Sequence, residues 1–316
     1  MILNKIPLSS PLIFLFFFLY ASKASGQQIS KKEMLFLTPL WVGERFEDGR
    51  PKVPDDIIER MKEVTHDEAW AVMKNEGYKY QYAEGWETIH PDNILVGRAV
   101  TATFMPGRPD IHDAIDKRGR AEGKKGQNSW PVDVLVKGDV YVADQFGAHI
   151  DGPTIGDNVG NAIFARSGNG IVYDGAIRDI VGLKEIEGFT SFFTSYHPSH
   201  HNQLGNLNTM LIGINGPTKI RQVTVMAGDV VLGREGGVSF IPPHLAEKVV
   251  VTSEIVRLRD MFGHERLRAG VYTAGQIDTR WSDEIEKDFS GWLNEHIDEL
   301  PVPREQVQEI LKNRIW

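Results

Sequence analysis

The chain has 316 residues, no cysteine and a formal charge of −8, with 25% charged and 41% hydrophobic residues, a globular composition. The lack of cysteine excludes a disulfide framework, thiol catalysis and lipidation on cysteine. The acidic balance excludes generic attraction to nucleic acid.

The N-terminal "MILNKIPLSSPLIFLFFFLYASKASG" places a lysine, an apolar stretch and then small residues in the order of a secretory signal peptide, with cleavage near Ala24 to Gly26. The apolar stretch falls short of the ~20 residues that a spanning helix needs. The expectation is an exported protein, periplasmic or secreted, with no membrane association after cleavage. Loss of Lys5 and Lys23 with residues 1–26 moves the formal charge from −8 to −10. The remainder suffices for one large domain with extensions, or two small ones.

Residues 27–52 read as an N-terminal arm without sustained periodicity. Pro54 then opens a helix with Ile57, Ile58, Met61 and Val64 on one face. A second helix follows, with Thr65 and Glu68 at capping-box spacing and Gly77 at its end. "VGRAVTATFMP" and "GDVYVAD" read as strands, separated by a part-helical, part-basic segment to which no function is assigned.

In "GDNVGNAIFARSGNG", Val159, Ala162, Ile163 and Phe164 suit a short helix packed on a sheet and stopped by Gly168 and Gly170. "IVYDG" is then a buried strand, "DIVGLKEIEG" a second short helix and "TSFFTS" another strand, an alternation that argues for an α/β core. Residues 207–242 read as consecutive short strands, and the Gly-Asp-Val turns at 138 and 228 read as a repeated hairpin turn. A helix with Leu245, Val249, Ile255 and Leu258 near helical spacing follows. The aromatic, charged tail is expected to form helices packed on its own core or on a neighbouring subunit. The resulting division is 1–26 signal peptide, 27–52 arm, 53–250 main domain and 251–316 helical extension.

The chemistry gathers at "VYDGAIRD". Arg178 and Asp179 fall at the carboxyl end of a strand, where ligand crevices of open α/β sheets form. Upstream, Gly156 lets the backbone turn closely and Asp157 opens a helix. The N–H groups of Asn158 and Val159 would then offer an anion the positive end of that helix. The planar fork of Arg178 suits a carboxylate. Asp157 and Asp179 supply oxygen ligands of the kind Mg2+ takes while keeping several waters. Such a site can hold a 2-oxo acid in a chelate, with the metal as Lewis acid stabilising an enolate while a carbon–carbon bond breaks. The plainer alternative is a surface ion pair worth under ~1 kcal/mol beside an ordinary Gly-Asp turn. On spacing alone the plainer reading is the stronger.

The run "GDVYVAD...IGDNVGNAIFARSGNGIVYDGAIRDIVGL...GDVVLGREGGVSFIP" resembles the RraA-like family, from about residue 54 to 250. That family includes 4-hydroxy-4-methyl-2-oxoglutarate/4-carboxy-4-hydroxy-2-oxoadipate aldolases and the RNase E inhibitor RraA. The resemblance implies a layered β/β/α, swivelling-domain-like fold and assembly as a homotrimer or hexamer. It also implies that Asp179 holds a divalent metal, Mg2+ or Mn2+, and that Arg178 binds the substrate's oxo-acid group and steadies the enolate. Asp157 would anchor metal-bound water, and the N–H groups of Asn158 and Val159, behind Gly156, would hold the pyruvyl carboxylate. An acid from an adjacent subunit is expected near the metal waters, with Glu254 and Glu247 as candidates. The chain departs from the family where an acid often precedes Gly-Val, here Gly236 before "GVSFIP", and in its leader and tail. "YHPSHH" and "GGVSFIPPHLAEKV" are similar to a longer branch of the family.

His197, His200 and His201 suit a transition metal by residue type, yet no cysteine, nearby acid or helical spacing supports one. A polar loop is the preferred reading, with His197 lining the crevice as a middle one. No G-x-G-x-x-G loop follows a strand and opens a helix, which discounts the methyltransferase label sometimes given to such sequences. The expected activity is therefore metal-dependent cleavage or decarboxylation of a 2-oxo acid or related small molecule. The alternative is a non-catalytic, regulatory RraA-like binding protein.

Overall fold

The computed structural model describes residues 27–199 and 208–316. The signal-peptide segment, His200 and His201 lie outside the described residues. The arm contains one element that the absence of periodicity had not suggested, helix α1 (Lys31–Leu37), whose Ser30 side chain caps Glu33 N–H. Helices α2 (Asp55–Met61) and α3 (His66–Asn75) follow. The Thr65–Glu68 capping box of α3 is formed in both directions.

Strands β1 (Tyr82–Glu84), β2 (Glu87–Ile89) and the long β3 (Leu95–Pro106) lead to helices α4 (Pro109–Ala121) and α5 (Trp130–Asp133). The central run is β4 (Asp139–Asp144), α6 (Asp157–Ser167), β5 (Ile171–Ile177), α7 (Ile180–Lys184) and β6 (Ser191–Tyr196). Five short strands then follow as expected: β7 (Thr209–Ile214), β8 (Thr218–Ile220), β9 (Val223–Val225), β10 (Val230–Arg234) and β11 (Gly237–Ile241). Helices α8 (Ala246–Arg268), α9 (Ala274–Ile277), α10 (Asp283–His296) and α11 (Arg304–Asn313) complete the chain.

Nine strands form one mixed sheet in the order β1-β11-β10-β3-β4-β5-β6-β2, with β7 also paired to β3. Strands β3 to β6 are parallel, so their carboxyl ends share one edge. Alternation along β5 sends Ile171 and Tyr173 into a core with Ile163 and Leu183 of α6 and α7. Val172 points the other way, into a core closed by Ile220, Val223 and Val225 of the separate β8–β9 hairpin. The result is a helix layer, a central sheet and a small second sheet. On α6 itself, Ile163 is buried and Val159 and Phe164 pack partly, whereas Ala162 faces outward, contrary to expectation.

Helices α2, α3 and α8 cover the β10–β11 end through Ile57, Met61, Val72, Val249 and Val250. The tail helices build their own core on α8, with Phe262 against Trp281, Phe289 and Trp292 at ring distances of 5.5, 5.3 and 5.9 Å. No helix among the described residues is long and apolar enough to cross a membrane.

The two Gly-Asp-Val turns are not hairpin turns. Each launches a strand of the main sheet, β4 and β10, from an element outside it. The departure at Gly236 has a backbone cause. Glu235 and Gly236 form the two-residue β10–β11 turn with φ of 50° and 77°. Both central positions of such a turn need positive φ, which glycine supplies at no steric cost.

Candidate functional site

Strand β5 carries β-branched and aromatic residues on both faces and ends at Ile177, directly before Arg178. Its register with β6 shifts between Tyr173 and Ala176. A Cβ on the intervening Gly175 would meet Gln145 Cβ at 2.7 Å, so the shift and the close approach need glycine. Beyond the strand, Arg178 N–H donates to Ile155 O at 3.0 Å, which draws the segment before α6 alongside the tip. Tyr173 OH reinforces this through Thr154 Oγ1 at 2.7 Å.

The sequence-predicted residues converge. A Cβ on Gly156 would meet Asp179 Oδ2 at 2.3 Å and Arg178 Cζ at 3.1 Å, so the bare backbone there is what admits the pair. A Cβ on Gly182 would meet Asp157 Cβ at 2.8 Å and Asp157 Oδ2 at 3.0 Å. A Cβ on Gly160 would meet Leu183 Cδ2 at 2.3 Å. The first turns of α6 and α7 therefore interlock through two glycines, each in the local pattern Asp-x-Val-Gly. The repeat stands in the sequence, but which faces of the two helices meet does not.

Asp179 sits at φ 55°, ψ 41°, a left-handed conformation uncommon outside glycine, and caps α7 without a side-chain cap bond. Arg178 Nη1 donates to Asp179 Oδ2 at 2.6 Å, with the side chains 33% and 38% exposed. Arg178 Nε is buried and has no protein partner among the described residues. Asp157 Oδ1 accepts from Asn158 N–H at 2.8 Å, so that N–H is not offered outward as expected. Val159 N–H stays in the first turn of α6, where N–H groups lack intrahelical acceptors.

His197 lies at the same edge, its N–H donating to Ile177 O at 3.1 Å. Its ring meets that of His149 edge-on at 4.6 Å. Ser199 Oγ and Ser195 Oγ hold the two Nδ1 atoms at 2.7 and 2.9 Å. His149 was missed because its loop reaches His197 only through the parallel strand order.

Glu254 does not suit the role of an acid offered to a neighbour. Its carboxylate is buried and accepts from Arg60 Nε at 2.8 Å and Nη2 at 2.6 Å, with Gln306 as a further donor. Glu247 is exposed on α8. Among the described residues no group of three or more His, Cys, Asp or Glu side chains is placed to hold a metal. Asp157 and Asp179 are the carboxylates that this chain gathers at the tip. An oxygen-only donor set of this kind suits a hard ion that keeps its waters and not Zn2+.

The solved structures similar to this one include an uncharacterized protein from Pseudomonas syringae pv. tomato, at a TM-score of 0.58 and 20% identity, covering 75% of this chain and 98% of that one. Another is Streptomyces coelicolor RraAS2, described as an unusual member of the RNase ES inhibitor RraA protein family. It aligns at a TM-score of 0.57 and 23% identity, over 68% of this chain and all (100%) of that one. Likeness at these identities concerns the fold. No curated protein matches the sequence. The RraA-like profile, described as Aldolase/RraA, matches residues 55–239, more than half of the chain and all of the tip, so the chain belongs to the RraA-like family.

Proposed function

We propose that this protein is a Mg2+- or Mn2+-dependent carbon–carbon lyase, cleaving or decarboxylating a 2-oxo acid or a related small molecule at the Arg178–Asp179 tip. The observation that carries the reading is the cradle itself. Gly156 and Gly182 bring two carboxylates, an arginine fork and the first turn of α6 together at the carboxyl edge of a parallel sheet. A surface ion pair needs no such glycines.

Asp179 would hold the ion directly and Asp157 through water. A bound Mg2+ would supply Lewis-acid polarisation of the substrate's carbonyl. Arg178 would grip the substrate carboxylate through its planar guanidinium, whose Nε has no protein partner among the described residues. Because Nη1 already bridges to Asp179, the guanidinium would hold the substrate carboxylate beside the side chain proposed to take the ion. Val159 N–H and the dipole of α6 would add positive potential where negative charge develops. His197, whose Nδ1 is held by Ser199, would be the candidate to exchange a proton with a leaving group.

The second reading, a regulatory binding protein, is supported by the family description, Aldolase/RraA, and by that of RraAS2, but would leave the convergent acids without a use. Oxaloacetate decarboxylation by the mature protein tests the choice. Turnover should disappear in excess chelator and return with Mg2+, and full activity in chelator would remove the metal from the account.

A further inference from the structure

The two Gly-Asp-Val turns are structural twins. Gly138 and Gly228 have φ of 83° and 95°, and Asp139 and Asp229 N–H groups donate to Val136 O and Met226 O, both at 3.1 Å. Each aspartate then accepts a backbone N–H with Oδ2, from Val136 at 2.9 Å and from Met226 at 2.8 Å. Both carboxyls are buried. At Asp139 the remaining demand is met by Arg50, whose Nη1 and Nη2 reach Oδ1 and Oδ2 at 3.1 and 3.2 Å. At Asp229 no cation approaches among the described residues, and the carboxyl lies on the wall of a cavity.

That cavity, of about 430 Å³, lies at the opposite end of the sheet from Arg178, between the arm, Tyr78 and the segment entering α8. Leu37, Leu40, Met226 and Pro243 give it apolar walls, and Trp41 and Tyr78 give it aromatic ones. The titratable groups on the walls are Asp229, Tyr78 and His244, with Tyr78 OH and His244 Nε2 at 3.2 Å from each other. Glu76 stands close enough to act on both of the latter and is paired with Lys248. Of the arm's arginines, Arg45 directs its donors to Thr38, Gly49 and Trp41, and Arg50 to Asp48 and Asp139, not to Asp229. A buried carboxyl without a countercharge, facing aromatic rings across an apolar space, is the donor set that recognises an organic cation.

We propose that this cavity binds a small organic cation, an amidinium, guanidinium or amine on an apolar body, whose N–H donors meet Asp229 as Arg50 meets Asp139. Binding requires the Asp229 carboxylate. Burial pushes this carboxyl up to about 7, so affinity rises with pH through that value.

The test is calorimetric titration of the full chain with benzamidine, and with neutral benzamide as its isosteric control. The wild type should bind benzamidine saturably. Asp229→Asn, which keeps the acceptor for Met226 N–H, should weaken it roughly tenfold or more. Benzamide should not distinguish the two proteins. Leu40→Trp, at an exposed wall position, should weaken benzamidine as well and keeps the question decidable if the Asn variant does not fold. No saturable binding at millimolar benzamidine, equal affinity in these variants, or equal affinity for benzamide would overturn the proposal. Loss of benzamidine binding in Arg178→Lys would also overturn it, by placing the cation at the other end of the sheet.

Discussion

Arg178 is the residue on which the catalytic account rests most heavily. Lysine keeps the charge and loses the fork, so Arg178→Lys removes the two-point grip on a carboxylate. Turnover should fall by roughly a hundredfold or more, since the fork also meets charge that develops in the reaction. The thermal midpoint should barely move, because a pair exposed to 33% and 38% is worth at most about 1 kcal/mol. Parallel oxaloacetate assays and thermal unfolding on one sample separate the outcomes. Unchanged turnover with altered stability would return Arg178 to the rank of a surface ion pair. Arg178, Asp179, Gly156 and Asp157 were readable as a group because they flank two turns of known hand in the βαβ order. Their interlock through Gly160 and Gly182 was not, since it depends on which faces of α6 and α7 meet.

At the scale of elements, the turn that launches β10 carries an electrostatic cost. Burial raises the Asp229 carboxyl to about 7, against an ordinary carboxylate value of 3.8. Between those values the folded chain holds a proton that the unfolded chain releases. The group's favourable contribution is therefore complete below about pH 4 and is lost as pH rises through about 7. A shift of this size corresponds to about 4 kcal/mol at most. Asparagine does not titrate, so the stability of Asp229→Asn relative to wild type should increase by a few kcal/mol from about pH 4 to about pH 8. Urea unfolding at both pH values measures the difference, and a difference independent of pH would contradict the burial argument.

Most strands and helices were legible from periodicity. Helix α1 was not, because seven residues are too few for a period to show, although Ser30 and Glu33 stand at capping-box spacing. The cavity was illegible for another reason. It joins the arm, Tyr78, Met226 and Pro243, segments that only the sheet order brings together.

At the scale of the molecule, two large exposed apolar side chains stand close in sequence to residues of the candidate site. Val181 of α7 is 75% exposed and Ile150 of the His149 loop is 70% exposed. The arm adds Phe36, Leu40 and Val42 elsewhere on the surface. Where such side chains form a contiguous patch they mark association surfaces. With Glu254 held inside its own chain by Arg60, Glu247, exposed on α8, is the remaining candidate for an acid offered to a neighbouring subunit. Light scattering of the purified protein should give a trimer or a multiple of it, and an active monomer would contradict the shared-site reading.

The most direct measurement of the central claim is calorimetric titration of pyruvate into the purified protein, with Mg2+ and with excess chelator, for the wild type and Asp179→Asn. The account predicts saturable binding only for the wild type with Mg2+, and no binding in the other three cases. Pyruvate binding that persists in chelator or in Asp179→Asn, or that is absent from the wild type with Mg2+, would contradict it.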